Sequence, residues 1–525
     1  MTTIQREKLI EAISNPDKIW DIIVVGGGAT GLGTALDAAS RGYKTLLLEQ
    51  SDFAKGTSSR STKLVHGGVR YLAQGNIALV KEALYERGML LKNAPHLVKN
   101  KAFIIPVYSW WKSAFYTAGL KIYDLLADKL SFGQSKRISK EEVAKRLPGI
   151  NIKGLYGGVL YHDGQFDDAR LAINLAQTCL EQGAMVLNYA RVTGLLKTDG
   201  RISVVVAEDM ETARAYQLKG KVVINATGVF VDDLLQLDKP GKKPLVRPSQ
   251  GIHIVVDRSY MPGADALMIP ETDDGRVLFI LPWHGKLLIG TTDTPLNKHS
   301  LEPVALEEEI GFVMQTAQKY LTKPLTRRDV RSVFAGLRPL AAPAQGSAST
   351  KEISRSHKLI VSNSGLVTIT GGKWTTYRKM AEDTIDKAMI VGKLLPAKSL
   401  TKDIAIHGSL KTSEHDDYLS VYGSDRKAVL ELRSENPEWS RKLHPDFDYV
   451  GAEVIWAVRK EMARTVDDVL ARRLRALFLD ATAAVEMAPI VATLIATELR
   501  KNKDWESDQV VSFRSLARAY LPAQE

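Results

Sequence analysis

Cysteine is almost absent from this sequence: a single residue, Cys179, occurs in 525. An intrachain disulfide is therefore excluded, and a reducing compartment is expected. Cys179 lies among leucines and alanines at helical spacing, which predicts a buried structural thiol. No C-x-x-C pair is present, and no metal site is predicted. The N-terminus lacks the apolar core of a signal peptide, and no stretch reaches the roughly 18 to 20 consecutive apolar residues that a membrane-spanning helix needs.

Acidic residues are outnumbered: 60 Asp and Glu stand against 71 Lys and Arg, a net charge of +11. This excess favours phosphorylated substrates, anionic lipid or nucleic acid as partners. Stacking aromatic residues do not interleave with the arginines of the C-terminal part, so nucleic acid is not expected. The chain length predicts two or three domains.

The segment Asp21 to Glu49 has the pattern of a dinucleotide-binding βαβ unit. An apolar run precedes Gly26, Gly28 and Gly31, which fill the pattern G-x-G-x-x-G. The first glycine permits a tight turn, the second lets backbone approach a pyrophosphate, and the third lets helix pack on strand. A second strand ends in Glu49, where an acid can meet a ribose hydroxyl. This motif serves FAD and NAD alike.

The rest of the chain shows three different sequence patterns. Short strands alternate with turns from Val246 to Asp293, which indicates an antiparallel sheet beside the nucleotide fold. The segment Trp110 to Leu130 carries apolar residues and lysines, and it either lies at a lipid interface or packs on the protein as a cap helix. Helical periodicity predicts one helix over Val454 to Leu477 and a second over Ala483 to Leu499. The arginines from Arg459 to Arg475 are interpreted as a solvated or interdomain face.

Several motifs in one order resemble the FAD-dependent glycerol-3-phosphate dehydrogenases. The resemblance spans most of residues 18 to 390, and the helical tail is similar to the C-terminal domain of that family. The motifs are GGGATGLG, TSSRSTKLVHGGVRYL, DDARL, NATGVFVDDL, GIHIVV, IGTTDT, GLRPL and GGKWTTYRKMAE.

The resemblance implies an α/β fold: a Rossmann-like FAD-binding fold with an inserted mixed or antiparallel-sheet substrate domain and a C-terminal helical domain. We expect the oxidoreductase domain over 1–395 and the helical domain over 396–525. Within the first, the FAD-binding parts cover about 18–105, 155–240 and 355–395. The substrate or cap parts cover about 106–154 and 241–354.

The cofactor implied by the resemblance is FAD. Hydroxyls in the Thr57 to His66 loop can donate to phosphate or ribitol groups, which extends the dinucleotide site toward a flavin. The turn at Gly371 reads as a strand end followed by a helix start, and a helix N-terminus with Lys373 would stabilise an anionic reduced ring. Trp374 follows that lysine where the family commonly has a smaller residue. The predicted cofactor-binding residues are Gly26, Gly28, Gly31, Glu49, Thr57, Ser58, Ser59, Lys63, Leu64, His66, Val192, Ala226, Gly228, Gly371, Gly372, Lys373 and Thr375.

A phosphorylated substrate requires fixed positive charge, and the planar fork of arginine binds two oxygens at once. Oxidation of a secondary alcohol also requires a base, for which histidine is suited. The resemblance places His253 beside the substrate; His66 is the competing base, and His253 is narrowly preferred. The predicted substrate residues are Arg70, Tyr71, His253, Arg338 and Arg355, and the predicted catalytic residues are His253, His66, Arg338 and Lys373.

The implied reaction is oxidation of sn-glycerol 3-phosphate to dihydroxyacetone phosphate, with hydride transfer to FAD and a quinone as electron acceptor. Alternatives are an oxygen-using oxidase, an amine or 2-hydroxy-acid oxidoreductase on the same fold, and, more remotely, a non-enzymatic nucleic-acid-binding flavoprotein. We expect a cytoplasmic protein attached peripherally to the anionic inner face of the cell membrane. A homodimer is compatible with the sequence, which leaves the oligomeric state open.

Overall fold

Two mixed sheets and a C-terminal helical region make up the protein. The computed structural model describes residues 6–69, 72, 75–272, 275–341, 357–410 and 417–522. The strands are β1 (Ile19–Val25), β2 (Thr45–Leu48), β3 (Leu64–Val65), β4 (Val98–Val107), β5 (Lys136–Ser139), β6 (Gly157–Phe166), β7 (Met185–Leu187), β8 (Ala190–Thr198), β9 (Arg201–Asp209), β10 (Ala215–Asn225), β11 (Val246–Asp257), β12 (Ala266–Ile269), β13 (Leu278–Trp283), β14 (Lys286–Gly290), β15 (Thr294–Pro295), β16 (Val330–Ala341), β17 (Lys358–Val361) and β18 (Val367–Thr370).

The α-helices within the described residues follow the same chain order. They are α1 (Arg6–Ser14), α2 (Ala29–Ser40), α3 (Ile77–Asn93), α4 (Trp110–Ala127), α5 (Lys140–Arg146), α6 (Asp168–Glu181), α7 (Val231–Asp238), α8 (Glu307–Gln318), α9 (Tyr377–Val391), α10 (Arg426–Glu435), α11 (Gly451–Glu461), α12 (Ala476–Leu479), α13 (Ala481–Leu499) and α14 (Lys503–Ala517).

The first sheet carries the dinucleotide fold. Its strand order is β17-β18-β10-β1-β2-β7, with the β8–β9 hairpin joined to β10. β1 pairs in parallel with both β2 and β10. Ile22, Ile23 and Val24 are fully buried because helices and the hairpin cover both faces of this sheet. The predicted βαβ unit is confirmed, and Gly42 follows α2 with a left-handed φ of 88°.

The second sheet is larger and forms the wall of the site. Its order is β15-β11-β14-β13-β12-β4-β6-β3, with β16 on β11 and β5 on β6. β11 pairs antiparallel with β14 and β16, as the alternation of strands and turns predicts. Together the two sheets and the helical tail confirm the predicted fold class. The division near residue 395 stays a prediction.

The C-terminal region differs from its prediction in one respect. The single helix expected over Val454 to Leu477 is wrong: the chain forms α11, a π-helix at Asp468–Arg473, and then α12. Met462 and Arg475 adopt left-handed φ values of 57° and 67°, which end one helix and begin another. Hydropathy alone did not register these breaks because apolar residues keep helical spacing across them, as at Val458, Met462, Val466 and Val469.

Helix α13 is, among the described residues, long and apolar enough to cross a membrane by length and composition. The expectation of no such segment rested on an uninterrupted apolar run, which Glu486 and Glu498 break here. Ala484, Met487 and Val491 are buried in the core of the tail. This helix therefore packs as a core helix of the protein.

Candidate functional site

A cleft of about 650 Å³ lies beside the first sheet, at the end where β1, β2 and β10 reach their carboxyl termini. This volume is in the range of small-molecule and cofactor sites. Most of the predicted site residues line it: Gly26, Gly28, Glu49, Thr57, Ser58, Leu64, His66, Val192, Ala226, Gly228, His253, Arg338, Gly371, Gly372, Lys373 and Thr375.

The glycine turn after β1 forms one end of the cleft. Gly26 has a φ of 110°, and a Cβ at this position would lie 2.6 Å from the Ala226 carbonyl oxygen. A Cβ on Gly31 would lie 1.8 Å from the Gly26 oxygen. Gly31 therefore serves the packing of α2 on β1, the role expected of the third glycine, and it is not among the described residues that line the cleft.

Glu49 is anchored at the end of β2. Its carboxylate accepts hydrogen bonds from the backbone N–H groups of Gly27 at 2.6 Å and Ser51 at 2.9 Å. Burial raises the pKa of Glu49 above its ordinary value, and these two donors oppose that rise. The carboxylate therefore holds the glycine turn to the second strand as well as lining the cleft.

The Thr57–His66 loop is tied to both flanking elements. Ser58 Oγ accepts from the Ala29 N–H at the start of α2, at 2.9 Å. Thr57 Oγ1 donates to the Leu337 carbonyl of β16 at 2.5 Å. The Trp374 indole donates to the Ser58 carbonyl at 2.8 Å, so the unusual tryptophan has a defined role in holding the loop.

Two predicted cofactor residues lie behind this loop. Lys63 is fully buried, its Nζ donating to Asp168 at 2.7 Å and to the Ser59 carbonyl at 2.8 Å. Ser59 is 1% exposed. Neither lines the cleft among the described residues, so the structure assigns them to supporting the loop. Burial, the largest effect, lowers the pKa of Lys63 to about 7, against the attraction of Asp168.

His253 and Arg338 occupy adjacent antiparallel strands, β11 and β16. Ser249 pairs with Arg338, Gly251 with Gly336, and His253 with Phe334. Directly opposed residues share one face of a sheet, so His253 and Arg338 project to the same face with two glycines between them. The missing side chains make room for neighbouring groups: a Cβ on Gly251 would lie 2.4 Å from Arg338 Nη2, and one on Gly336 would lie 2.7 Å from the Arg60 carbonyl oxygen.

The guanidinium of Arg338 is oriented by hydrogen bonds to the residues around it. Its guanidinium donates to the Thr292 carbonyl at 3.0 Å and to Thr291 Oγ1 at 3.2 Å, and it lies 3.3 Å from Asp293 Oδ1. The side chain remains 28% exposed. A pre-oriented, partly accessible guanidinium is suited to bind an anionic group.

His253 is almost completely buried, with Nε2 3.0 Å from Thr62 Oγ1 and its ring stacked on Phe334 at 5.0 Å. Burial, Lys63 and Arg338 lower the pKa of His253 well below 6.5. These effects favour the neutral form of the ring. His66 also lines the cleft, so both candidate bases lie at the site.

A second cavity of about 190 Å³ shares Thr62, Leu64, His66, Phe279 and Arg338 with the cleft. Its other walls come from the second sheet and the segments beside it. They include Phe103, Tyr161, Asp163, Met268 and Arg276. The small size and the arginines suit a compact anionic molecule. Predicted residues Arg70, Tyr71 and Arg355 lie outside the described residues.

The turn after β18 closes the other side of the cleft. Gly371 and Gly372 have left-handed φ values of 79° and 72°, and Lys373 precedes the short helix Trp374–Thr376 that leads into α9. The predicted order of strand end, glycine turn and helix start is confirmed. Lys373 adds a cation to the cleft lining.

Several residues of the site escaped the sequence interpretation. Thr62, Asp168 and Arg475 belong to it through contacts that link distant parts of the chain. The DDARL motif contains Asp168 and could have drawn attention to this residue. Its spacing alone does not indicate which residues Asp168 contacts. Nothing in the sequence around Arg475 points to the loop.

Comparison with known proteins agrees with this geometry. A family model described as FAD dependent oxidoreductase matches residues 21–378, and one described as the C-terminal domain of alpha-glycerophosphate oxidase matches residues 366–507. The mitochondrial glycerol-3-phosphate dehydrogenase of Bos taurus is 38% identical over 551 residues, covering 98% of this chain and 75% of that protein. Its Rattus norvegicus counterpart is 38% identical over 542 residues, covering 96% and 74%.

One solved structure is similar over the whole chain: the glycerol-3-phosphate dehydrogenase from Bacillus halodurans complexed with FAD. Its TM-score is 0.81 at 29% identity, and the match covers 100% of this chain and 99% of that one. The dinucleotide turn, the hydroxyl-rich loop and the volume of the cleft fit FAD, and with the family match they define an FAD-dependent oxidoreductase. Within that class, the chain belongs to the glycerol-3-phosphate dehydrogenase family, which confirms the resemblance.

Proposed function

We propose that this protein oxidises sn-glycerol 3-phosphate to dihydroxyacetone phosphate and passes the electrons to a quinone. The observation that carries the proposal is the placement of a buried histidine, His253, and an oriented cation, Arg338, on one face of the second sheet, both lining the cofactor cleft. Oxidation of a secondary alcohol next to a phosphate needs a base for the hydroxyl proton and a cation for the phosphate.

The phosphate is bound by Arg338, whose guanidinium is already oriented by the Thr292 carbonyl and Thr291. Arg70, Tyr71 and Arg355 are proposed as further substrate contacts on the family resemblance. Lys373 and the helix start behind it contribute positive potential to the other wall of the cleft. Bound FAD supplies the hydride acceptor.

His253 takes the hydroxyl proton of the substrate. We assign the proton to Nε2, the nitrogen beside Thr62. This assignment requires the tautomer with hydrogen on Nδ1, which is buried without a hydrogen-bond partner among the described residues. Thr62 lines both cavities and orients the ring. Burial favours the neutral imidazole, which is the form that can accept a proton.

The test is anaerobic reduction of the flavin. Addition of sn-glycerol 3-phosphate to the purified holoenzyme should bleach the visible flavin absorbance, whereas glycerol and glycine should not. Re-oxidation is then followed with a soluble quinone and, separately, with air. Absence of bleaching contradicts the substrate assignment, and faster recovery with air than with quinone contradicts the acceptor.

A membrane-facing surface supports the quinone as acceptor. Trp111, Phe115, Ile122 and Leu125 form one stripe along α4, and each is at least 50% exposed. The opposite side of the helix, which includes Ser113, Thr117, Leu120 and Ala127, is buried against α3 and the second sheet. One face of this segment packs on the protein, as the cap-helix interpretation expects. The other face presents bulky apolar residues to the surroundings, which supports the proposal of a lipid interface.

Basic residues border the stripe. Lys112 lies 5.6 Å from the centre of the Trp111 ring, and Lys121 is exposed on the same helix. Arg137 of β5 donates to Thr117 Oγ1 at 3.3 Å, which fixes a further cation beside α4. Aromatic and aliphatic residues flanked by lysine and arginine match an anionic bilayer surface. We assign this face to the inner surface of the cell membrane, where a lipid-soluble quinone is accessible.

Co-sedimentation with vesicles tests the surface. The wild type should bind vesicles that contain phosphatidylglycerol and bind phosphatidylcholine vesicles weakly, whereas the double variant Phe115→Ser/Leu125→Ser should lose binding. The matched control is Leu395→Ser, which removes an 85% exposed leucine elsewhere and should bind normally. Both variants should keep wild-type turnover with a soluble acceptor. Unchanged vesicle binding, or a wild-type dimer that the stripe variant dissociates, contradicts the membrane assignment.

A further inference from the structure

A buried ion cluster connects the C-terminal region to the loop of the cofactor site. Its members are Lys63 of the loop, Asp168 at the start of α6 and Arg475 between the π-helix and α12, and we call it the loop clamp. All three side chains are at most 2% exposed. The clamp joins parts of the chain that are separated by 105 and 307 residues.

Asp168 is the centre of the clamp. Its Oδ2 accepts from the Ser61 backbone N–H at 3.0 Å, from Ser61 Oγ at 2.6 Å and from Lys63 Nζ at 2.7 Å. Its Oδ1 accepts from Arg475 Nη2 at 3.1 Å. One carboxylate thus joins two loop residues, Ser61 and Lys63, to the tail. A carboxylate that accepts several charged hydrogen bonds in the interior is strongly oriented.

Arg475 reaches the loop backbone directly. Its Nη2 donates to the Ser59 carbonyl at 2.9 Å, the same oxygen that accepts from Lys63 Nζ at 2.8 Å. The guanidinium carbon lies 4.4 Å from the centre of the Phe478 ring, which also flanks Lys63. The tail therefore provides both a charged donor and an aromatic surface for the underside of the loop.

The loop backbone is strained where the clamp holds it. Lys63 has a φ of 64°, a left-handed conformation that side chains other than glycine rarely adopt. Such a conformation persists only where its surroundings determine it. Here the surroundings are the Asp168 carboxylate, the Ser59 carbonyl and the Ser61 hydroxyl, which accepts from the Lys63 N–H at 3.0 Å.

Thr62 lies between the two clamped residues. The left-handed turn at Lys63 sends the chain from Thr62, whose Oγ1 is 3.0 Å from His253 Nε2, into Leu64 of β3, which pairs with β6. A change in the backbone at Ser61 or Lys63 would therefore move the Thr62 hydroxyl away from the histidine. It would also shift Thr57 and Ser58 at the cofactor cleft.

From this arrangement we infer that Arg475 is a positioning residue of the active site: through Asp168 and Ser59 it sets the loop conformation that binds FAD and orients His253. The C-terminal region is then a required part of the cofactor site. The orientation of His253 rests on the proposed role of this residue as base, whereas the effect on FAD binding is independent of the substrate.

The test compares two buried arginines that join the same two parts of the chain. Arg475→Met removes the clamp donor. Arg170→Met removes a bidentate pair with Glu461, at 2.8 and 2.7 Å, that links α6 to α11 without contacting the loop. FAD affinity is measured by flavin-fluorescence titration of the apo-protein, and kcat and KM are measured with excess FAD. Thermal unfolding gives the stability of each variant.

Arg475→Met should weaken FAD binding about tenfold or more and, at saturating FAD, lower kcat about 100-fold with little change in KM. Arg170→Met should lower the unfolding temperature but keep FAD affinity and kcat. Arg475→Lys, which retains the charge, should recover part of both losses. Equal FAD affinities for the two methionine variants, or a normal kcat in Arg475→Met, overturn the inference.

Ser61→Ala keeps the inference testable if Arg475→Met does not fold. It deletes the hydroxyl that bridges Asp168 and the Lys63 N–H. Because Ser61 also lines the cleft, its effect is interpreted only together with that of Arg475→Lys, whose side chain lies behind the loop. A loss of FAD affinity in the same direction as for Arg475→Lys supports the clamp, and wild-type affinity in both contradicts it. If sn-glycerol 3-phosphate does not bleach the wild type, the proposed function is contradicted, but these FAD measurements remain valid.

Discussion

His253 and Arg338 project from adjacent strands to the same face of the second sheet, with Gly251 and Gly336 paired between them. The histidine is buried, which lowers its pKa and favours the neutral ring, and the arginine is half-buried and donates to the Thr292 carbonyl. The proposed base and the proposed anion-binding group are therefore separated by one glycine pair, which leaves room for the Arg338 guanidinium. The site therefore depends on His253, Gly251, Gly336 and Arg338, which lie on two strands and do not form a single sequence motif.

Arg338→Ala should raise the KM for sn-glycerol 3-phosphate by about 100-fold, because a charged hydrogen-bond donor to the phosphate is lost. The flavin content of the purified protein should stay normal. Steady-state kinetics and the flavin-to-protein absorbance ratio measure the two effects. Arg331→Ala, an exposed arginine on the same strand, should behave as wild type. Parallel loss of flavin and activity would show that Arg338 supports the fold instead.

His253→Gln should lower kcat/KM by about 10² to 10⁴-fold, the contribution typical of a general base. Because the pKa of His253 lies well below 6.5, the wild-type kcat/KM should be independent of pH above 6.5 and fall only in more acidic solution, where the ring becomes protonated. The pH profile and the variant are measured with sn-glycerol 3-phosphate. A larger loss for His66→Gln, or an acid limb above pH 6.5, would transfer the role to His66.

Gly251→Ala should impair the substrate site and leave the fold intact. The added Cβ would lie 2.4 Å from Arg338 Nη2 and 2.6 Å from Thr291 Oγ1, so the guanidinium must move, and a misplacement of about 1 Å can cost about 100-fold in rate. The KM should rise while FAD affinity and the unfolding temperature stay near wild type. Gly194→Ala on β8, where the nearest atom is at 3.4 Å, is the matched control and should change neither KM nor turnover.

His407 should make the stability of the protein sensitive to alkaline pH. Its Nδ1 lies 2.6 Å from Glu181 and its Nε2 2.6 Å from Asp425, and despite burial these carboxylates raise its pKa to about 9. A group whose pKa is raised in the folded state contributes its full stabilisation below pH ~6.5. This stabilisation is lost as the pH rises through about 9. The free energy of unfolding should therefore fall by up to about 3 kcal/mol over this window.

Thermal unfolding from pH 6 to pH 10 measures this effect. The unfolding temperature of His407→Gln should be lower than that of the wild type at pH 6, and the two curves should converge at alkaline pH. His299→Gln removes a more exposed contact with Asp233 and should follow the wild-type curve throughout. A constant difference between wild type and His407→Gln at all pH values would mean that the charge of the imidazole does not contribute.

Local patterns were sufficient for much of the fold. The strand, glycine turn and helix at Gly26 lie within one βαβ unit, and the turn at Gly371 likewise depends on neighbouring residues, so their spacing predicted them. The prediction of one helix over Val454 to Leu477 was wrong because tertiary contacts impose breaks at Met462 and Arg475. Arg473, for example, donates to the Glu461 carbonyl and pairs with buried Asp52.

The sequence by itself determined the dinucleotide motif, the alternation of strands and helices, the single buried cysteine and the set of residues from which a phosphate-binding oxidoreductase site could be built. These features follow from residue type and short-range spacing. Only the tertiary structure decided that Lys63 supports the loop from behind, that His253 faces Arg338 across two glycines, and that Arg475 reaches the loop. Such contacts join residues up to several hundred positions apart, and they form because a buried charge must find its partner wherever the packed chain places it.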